Sequence, residues 1–283
     1  MAVRQPPTIR KRRLGAELRR LREAAGMSAP RAADLLGTDR TTISNIESGR
    51  FGLREERLRR LAAVYECDDP DFVDALAAMV GGRRTGWWEE YRGKIPSDFL
   101  DVSEVEHHAV RLRSVQTSLL PGLFQTEEYA RALFDLVVPR LPRLEVELRV
   151  AHRLERQRVL TGNAALPYTG VVHETALRMR FGGSAVLKEQ LRHLVEISER
   201  ENIVLLVITF AAGGYPLPGE SVFYAEAPHP RLDTVGLDAP TGPVFLDSPA
   251  QLANFRRRLD LIEEVALTAG RSRDFILSII KEL

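Results

Sequence analysis

A chain of 283 residues exceeds what one ordinary hydrophobic core organises and predicts two domains. Hydrophobic content of 44% and charged content of 28% are ordinary for a globular protein, no apolar run approaches the ~18 residues of a membrane span, and the single cysteine, Cys67, excludes an internal disulfide framework and fits a reducing cytoplasm. The net charge of +1 conceals an asymmetry: residues 1–60 carry 15 Lys/Arg against 7 Asp/Glu, the remainder 25 against 32, so a module of +8 precedes a body of −7 and a polyanionic partner is expected for the first part alone.

Residues 1–9 (MAVRQPPTI) contain Pro6 and Pro7 and read as a flexible arm; no apolar h-region follows their basic residues, so no secretory signal is expected. The run Arg10, Lys11, Arg12, Arg13 is either a solvated face or a phosphate-contacting one. Leu14, Leu18 and Leu21 recur at helical spacing, and Gly26 closes this first helix. Ser28 caps a second helix, with Pro30 in its first turn, that stops at Gly37. Asp39 caps a third that ends at Glu47: Ile43 and Ile46 share one face, while Arg40, Thr41, Ser44 and Asn45 fall on the other. Taken alone, GTDRTTISNIE is an amphipathic surface helix or a helix that reads DNA. Ala33, Gly37, Ile43 and Ile46, at offsets of four, ten and thirteen, favour the second, because they describe two short helices joined by a tight turn. A fourth helix is predicted over 54–65 with Leu58, Leu61, Ala62 and Tyr65 inward, and a fifth over 71–80 with Phe72, Leu76 and Met79 apolar. Gly81, Gly82, Arg83 and Arg84 mark a linker, 81–86. The N-terminal domain is therefore expected to be an all-α, five-helix helix-turn-helix domain spanning 10–80.

Residues 14–65 resemble the Cro/repressor-type (XRE-family) helix-turn-helix regulators, through LGAELRRLREAAGMS, ADLLGTDRTTISNIESGR and LRRLAAVY. The resemblance implies double-stranded DNA as partner, a homodimer on two half-sites, and base reading by Arg40, Thr41 and Asn45. Arginine suits guanine O6/N7 and asparagine suits adenine. Ser28, Arg31, Thr42, Ser44, Ser48 and Arg50 match positions near phosphates, and Arg22 with Glu47 matches a partly buried ion pair. One departure stands out: the family commonly has Gln after the Ser/Thr cap, where this chain has Ala29, so that phosphate contact is lost or passes to Arg31 or Ser28.

Beyond the linker, residues 87–283 alternate strand and helix patterns and predict a larger α+β (mixed α/β) domain. Trp87 and Trp88 suit a core or interface anchor. Strands are read at 109–115, at 168–173, in the continuous apolar run IVLLVI (203–208), and near 222–225, 234–237 and 244–246. Helices are read after Thr126, over 143–160 with a stripe of Leu144, Leu148, Ala151, Leu154 and Val159, over 184–200, from Ser248 to about 267, and over 274–283. Gly213 to Gly219 reads as a mobile loop.

This half resembles the uncharacterised C-terminal domain of the actinobacterial WhiJ-like developmental regulators, through PGLFQTEEYARALF, RLERQRVL, VVHETALRMRFGG, QLRHLVEI and SRDFILSII. The resemblance implies a cytoplasmic transcription regulator of differentiation or secondary metabolism whose second domain senses a small-molecule effector or a small partner protein. The alternative is an antitoxin-like module that holds a small partner protein encoded nearby. Glu106, Gln125, Arg153, Arg156, Gln157 and Glu174 lie in or near these motifs and form either a buried polar network or a ligand or partner pocket. Nothing predicts an enzyme, a cofactor or a metal. His173-Glu174 lacks the second histidine of a zinc-protease helix, with Leu177 in its place; adjacent His107 and His108 would point apart on a strand; and Gly219 to Phe223 lacks the final glycine of a nucleophile elbow.

Overall fold

The computed structural model describes residues 6–80, 86–162, 164–239 and 242–283, so the start of the N-terminal arm and nearly all of the linker lie outside the described residues. The chain divides into two compact units, residues 1–87 with 228–232, and residues 88–227 with 233–283.

Five helices build the first unit: α1 (Ile9–Ala24), α2 (Ala29–Leu36), α3 (Arg40–Glu47), α4 (Glu55–Val64) and α5 (Pro70–Val80). Their starts follow local chemistry. The side chains of Thr8, Ser28 and Asp39 accept from Lys11 N, Arg31 N and Thr42 N respectively, each satisfying an orphan donor of a first turn. Gly37 ends α2 in the left-handed region at φ 63°, which a residue with a Cβ adopts only at a cost. Leu18, Ala32, Ala33, Ile43, Ile46, Leu58, Leu61, Phe72 and Leu76 bury almost completely and form the core. The basic run splits on folding: Lys11 and Arg12 are exposed, whereas Arg13 is 3% exposed and paired with the equally buried Glu17, so Arg13 faces no phosphate.

The second unit is a six-stranded mixed sheet of order β3-β2-β1-β4-β5-β6, with helices on both faces. Its strands are β1 (Arg111–Gln116), β2 (Tyr168–His173), β3 (Ile203–Ile208), β4 (Val222–Glu226), β5 (Thr234–Leu237) and β6 (Val244–Leu246). Its helices are α6 (Ser97–His108), α7 (Glu127–Phe134), α8 (Arg143–Arg156), α9 (Glu174–Arg178), α10 (Ser184–Ile197), α11 (Pro249–Val265) and α12 (Ala269–Glu282). Strands β1, β2 and β3 run parallel, and β4, β5 and β6 continue antiparallel on the other side of β1. Alternation along the strands separates two cores. Leu112, Tyr168, Val172, Leu205 and Val207 face a cluster that includes residues of α7, α10 and α12. Val115, Val171, Leu206, Tyr224 and Val235 face one that includes Leu252, Phe255, Leu259 and Ile262 of α11. On the outer side of β3, Leu267 N donates to Val207 O (2.8 Å) and Val207 N donates to Ser272 Oγ (2.9 Å).

Several expectations change here. Helix α6 was not predicted; His107 and His108 close it rather than lying on a strand, and both rings contact Trp88. The stripe on α8 is displaced: Leu144 is 72% exposed and Ala151 is exposed, while Val146, Val150, His152 and Arg156 are buried. The buried side tolerates polar groups because partners meet them, as His152 Nε2 meets Ser103 Oγ at 3.0 Å. Helix α12 begins at Ala269, five residues before the predicted start, and its first turns carry Ser272, whose hydroxyl accepts from Val207 N on β3. Within residues 213–219, Tyr215 stacks on His173 at 5.5 Å and Leu217 is 6% exposed.

Burial of His152 has a pH consequence. Loss of hydration, reinforced by Arg156 and Arg153, pushes its pKa down to about 3. The unfolded chain binds a proton near pH 6.5 and the folded one does not, so stability falls as pH drops from about 6.5 toward the folded value. The loss is about 2 kcal/mol by pH 5. Denaturant titrations at pH 7 and pH 5 should show this fall in the parent and a flatter response in His152→Gln; equal slopes would refute it.

Candidate DNA interface and a buried polar cluster

The DNA-facing candidates sit on α2, α3 and the turn after it. Arg31, Arg40, Thr41, Ser44, Ser48 and Arg50 are exposed, and Asn45 is partly exposed, on the side away from Ile43 and Ile46. Three of the candidates also make local bonds that hold the helix ends. Ser28 caps α2, the Thr42 hydroxyl donates to Asp39 Oδ2 (2.9 Å), and the Ser48 hydroxyl donates to Asn45 O (3.2 Å). The Asp39 carboxyl lies below the usual carboxylate range because Thr42 donates to it from both its backbone N–H and its hydroxyl.

The end of α3 is fixed by a pair and two glycines. Arg22 grips Glu47 through two parallel bonds, Nε to Oε1 at 2.6 Å and Nη2 to Oε2 at 2.9 Å, while its Nη1 donates to Met27 O at 2.7 Å. The two side chains are 10% and 9% exposed. The bond to Glu47 raises the Arg22 pKa, and burial raises that of neighbouring Tyr65 to about 12. Gly15 lets α1 touch this end: a methyl there would run into the carbonyl oxygens of Glu47 and Ile46. Gly49, at φ 73°, lies against the Lys11 carbonyl in the same way. Neither glycine is singled out by sequence spacing, since each is defined by a backbone far along the chain.

In the second unit, five of the six candidate residues come together. Arg156 pairs with Glu106 in the same two-bond geometry (Nε to Oε2 2.9 Å, Nη2 to Oε1 2.6 Å), both buried. Arg153 Nη1 donates to Gln125 Oε1 (2.6 Å), Gln157 Nε2 donates to Gln125 O (2.6 Å), and Gln125 Nε2 donates to Leu120 O (2.7 Å). Gln190, which the sequence did not single out, donates to Phe124 O and accepts from Thr126 N. Glu174 is elsewhere: it accepts from Arg178 Nε and from Phe210 N, tying α9 to the turn after β3. Burial raises the Tyr168 hydroxyl, and loss of hydration around the charged group lowers Arg153 to about 9. Among the described residues no group of three His, Cys, Asp or Glu is placed to hold a metal ion, and no helix is long and apolar enough to cross a membrane.

Residues 13–76 match the family model described as a helix-turn-helix domain, which marks the chain as a DNA-binding regulator by class. Residues 99–278, more than half of the chain, match the model described as Domain of unknown function (DUF5753), and the chain belongs to that family. Comparison with curated proteins found no match, and comparison with solved structures found none.

Proposed function

We propose that the protein is a sequence-specific regulator that binds operator DNA as a homodimer and whose second unit senses a ligand or a partner protein. The observation that carries the DNA reading is the exposed polar face of α3, with Arg40, Thr41, Ser44 and Asn45 clear of the core that holds Ile43 and Ile46. On this reading Arg40 and Asn45 read base edges, and Arg31, Arg50 and Ser44 meet phosphates. One recognition helix covers too little DNA for tight binding, which favours two chains on half-sites about 34–36 Å apart. The developmental likeness of the second unit suggests target genes in differentiation or secondary metabolism, with regulation through binding rather than catalysis.

Selection of bound sequences from a random DNA pool tests this reading. A two-fold symmetric site with half-sites about one helical turn apart is the expected outcome, and recovery of no preferred sequence would overturn it. Affinity should also fall steeply with salt, and Arg31→Ala and Arg50→Ala should each reduce the slope of log K against log[salt] by about 1. A flat salt response would remove the phosphate contacts from the account.

A second reading, a module that holds a small partner protein, draws on one apolar stretch: Leu136, Val138 and Leu144 are 63%, 92% and 72% exposed. If a partner covers it, Val138→Asp with Leu144→Asp abolishes co-purification with the neighbouring gene product and leaves DNA binding intact.

A further inference from the structure

At one place the second unit sets two arginines side by side with a single carboxylate in contact among the described residues. On α8, Arg156 is spent on Glu106. Arg153, one turn earlier, ion-pairs with no carboxylate among the described residues. Its Nη1 meets the neutral Gln125 amide, its Nε is buried without a partner, and its guanidinium lies 4.4 Å from the centre of the Phe134 ring. Burial and the like charge of Arg156 hold the Arg153 pKa down, and Asp238 and Glu106 offset them only from a distance. A guanidinium partly withdrawn from water with no carboxylate in contact is open to receive one, and groups with perturbed ionisation concentrate at sites that receive a ligand.

The surroundings are polar and reach solvent. Ser114 and Gln116 of β1 lie on the sheet face that also carries Leu112 and Tyr168, and Ser114 Oγ meets Tyr168 Oη at 2.7 Å. The Gln116 amide donates to the Asp238 carboxylate. Gln116 ends β1, and Asp238 follows β5 at the same end of the sheet, since Val115 pairs with Val222 and Val222 with Leu237. Beside β1 the strand order turns back on itself, the position where open α/β sheets take ligands. Asp238 is exposed, and Arg153 and Gln157 are partly exposed, so the cluster opens outward.

We propose that Arg153 and the β1 polar groups receive a small organic ligand through a single carboxylate. The proposal rests on the reading of the second unit as a sensor and names its ligand class. One guanidinium without a contacting carboxylate has a place for one. The guanidinium plane is fixed by Gln125 and by the Phe134 ring, which suits a planar two-oxygen acceptor. Glu106 and Asp238 stand within electrostatic reach and disfavour a second negative charge, and with it inorganic phosphate. Asp238, held by Gln116, is an acceptor for a hydroxyl or amine on the ligand.

The test uses the full chain, with sodium acetate, sodium lactate and inorganic phosphate titrated against sodium chloride at constant ionic strength, read by calorimetry and thermal unfolding. Lactate and acetate should raise the melting temperature saturably by a few degrees, lactate more than acetate, and phosphate should do no more than chloride. Arg153→Met should melt at or above the parent without ligand, because a charge with no contacting carboxylate is gone, and should bind lactate at least tenfold more weakly. A purely structural Arg153 predicts the reverse, a lower melting temperature with the chloride-corrected response unchanged. Arg153→Lys, which keeps the charge and loses the fork, should also bind several-fold more weakly. Carboxylates acting like chloride, phosphate outperforming them, or Arg153→Met retaining the response would each overturn the site. Lactate binding with unchanged operator affinity keeps the site and removes the sensing role, whereas absent lactate binding with intact operator binding removes the site alone.

Discussion

Glu47→Ala is expected to abolish operator binding by unfolding the first unit, whereas Arg40→Ala weakens it with the unit folded. The difference follows from what each side chain leaves behind. Glu47 accepts two bonds from Arg22, and both side chains are about nine-tenths buried. Removing the carboxylate leaves the guanidinium with the Met27 carbonyl and the looser, half-exposed Glu23 at 3.7 Å, which costs about 3–5 kcal/mol. In a unit this small that corresponds to a fall in melting temperature on the order of 10–20 °C. Arg40 is exposed at the first position of α3, where alanine is a good helix former, so its removal leaves stability nearly untouched. Its loss should weaken operator binding by about 1–3 kcal/mol and relax the sequence preference at one base position. Circular dichroism melts of both variants beside a gel-shift series separate the two effects; equal melting temperatures would defeat the assignment.

Glu106→Ala should destabilise the second unit on the same scale, about 3–5 kcal/mol, because it leaves Arg156 and Arg153 side by side with no carboxylate in contact with either. Replacing both partners, Glu106→Leu with Arg156→Met, should recover most of that loss, since two apolar side chains of similar volume leave no stranded charge. A cycle of the two single variants and the double variant, followed by chemical denaturation, measures the coupling directly. A single variant as stable as the parent would mean that water already solvates the pair.

The contrast between the two arginine–glutamate pairs also shows what the chain discloses in one dimension. Elements governed by neighbours within a turn were legible. Asp39 caps α3, Thr126 caps α7 and Ser248 caps α11 as their chemistry dictates, and Ile43 and Ile46 turn inward together. Helix α6 was not legible because SDFLDVSEVEHH interrupts its apolar residues with carboxylates and buries Ser103 and Glu106 as well as Leu100. The displaced face of α8 has the same cause, since its inner side includes His152 and Arg156. Gly15 reads from sequence as a mildly unfavourable helix residue, and its value lies in the close approach of the Glu47 and Ile46 carbonyls. In the polar cluster the residue types could be named from motifs, but not which would meet. Gln125 contacts side chains 28 and 32 positions away, Glu106 one 50 positions away, and Ser114, Gln116, Tyr168 and Asp238 join only through strand register.

The outer edge of β3 carries a last consequence, for the order in which the second unit is made. An open strand edge is a template for pairing with other chains, and β3 is an end strand of the sheet. The amide of Leu267 and the hydroxyl of Ser272 occupy the Val207 position there, and both follow all six strands in the chain. On a translating ribosome the sheet can therefore assemble before its edge is covered, so the interval before α12 emerges is when a nascent chain is most open to pairing with its neighbours.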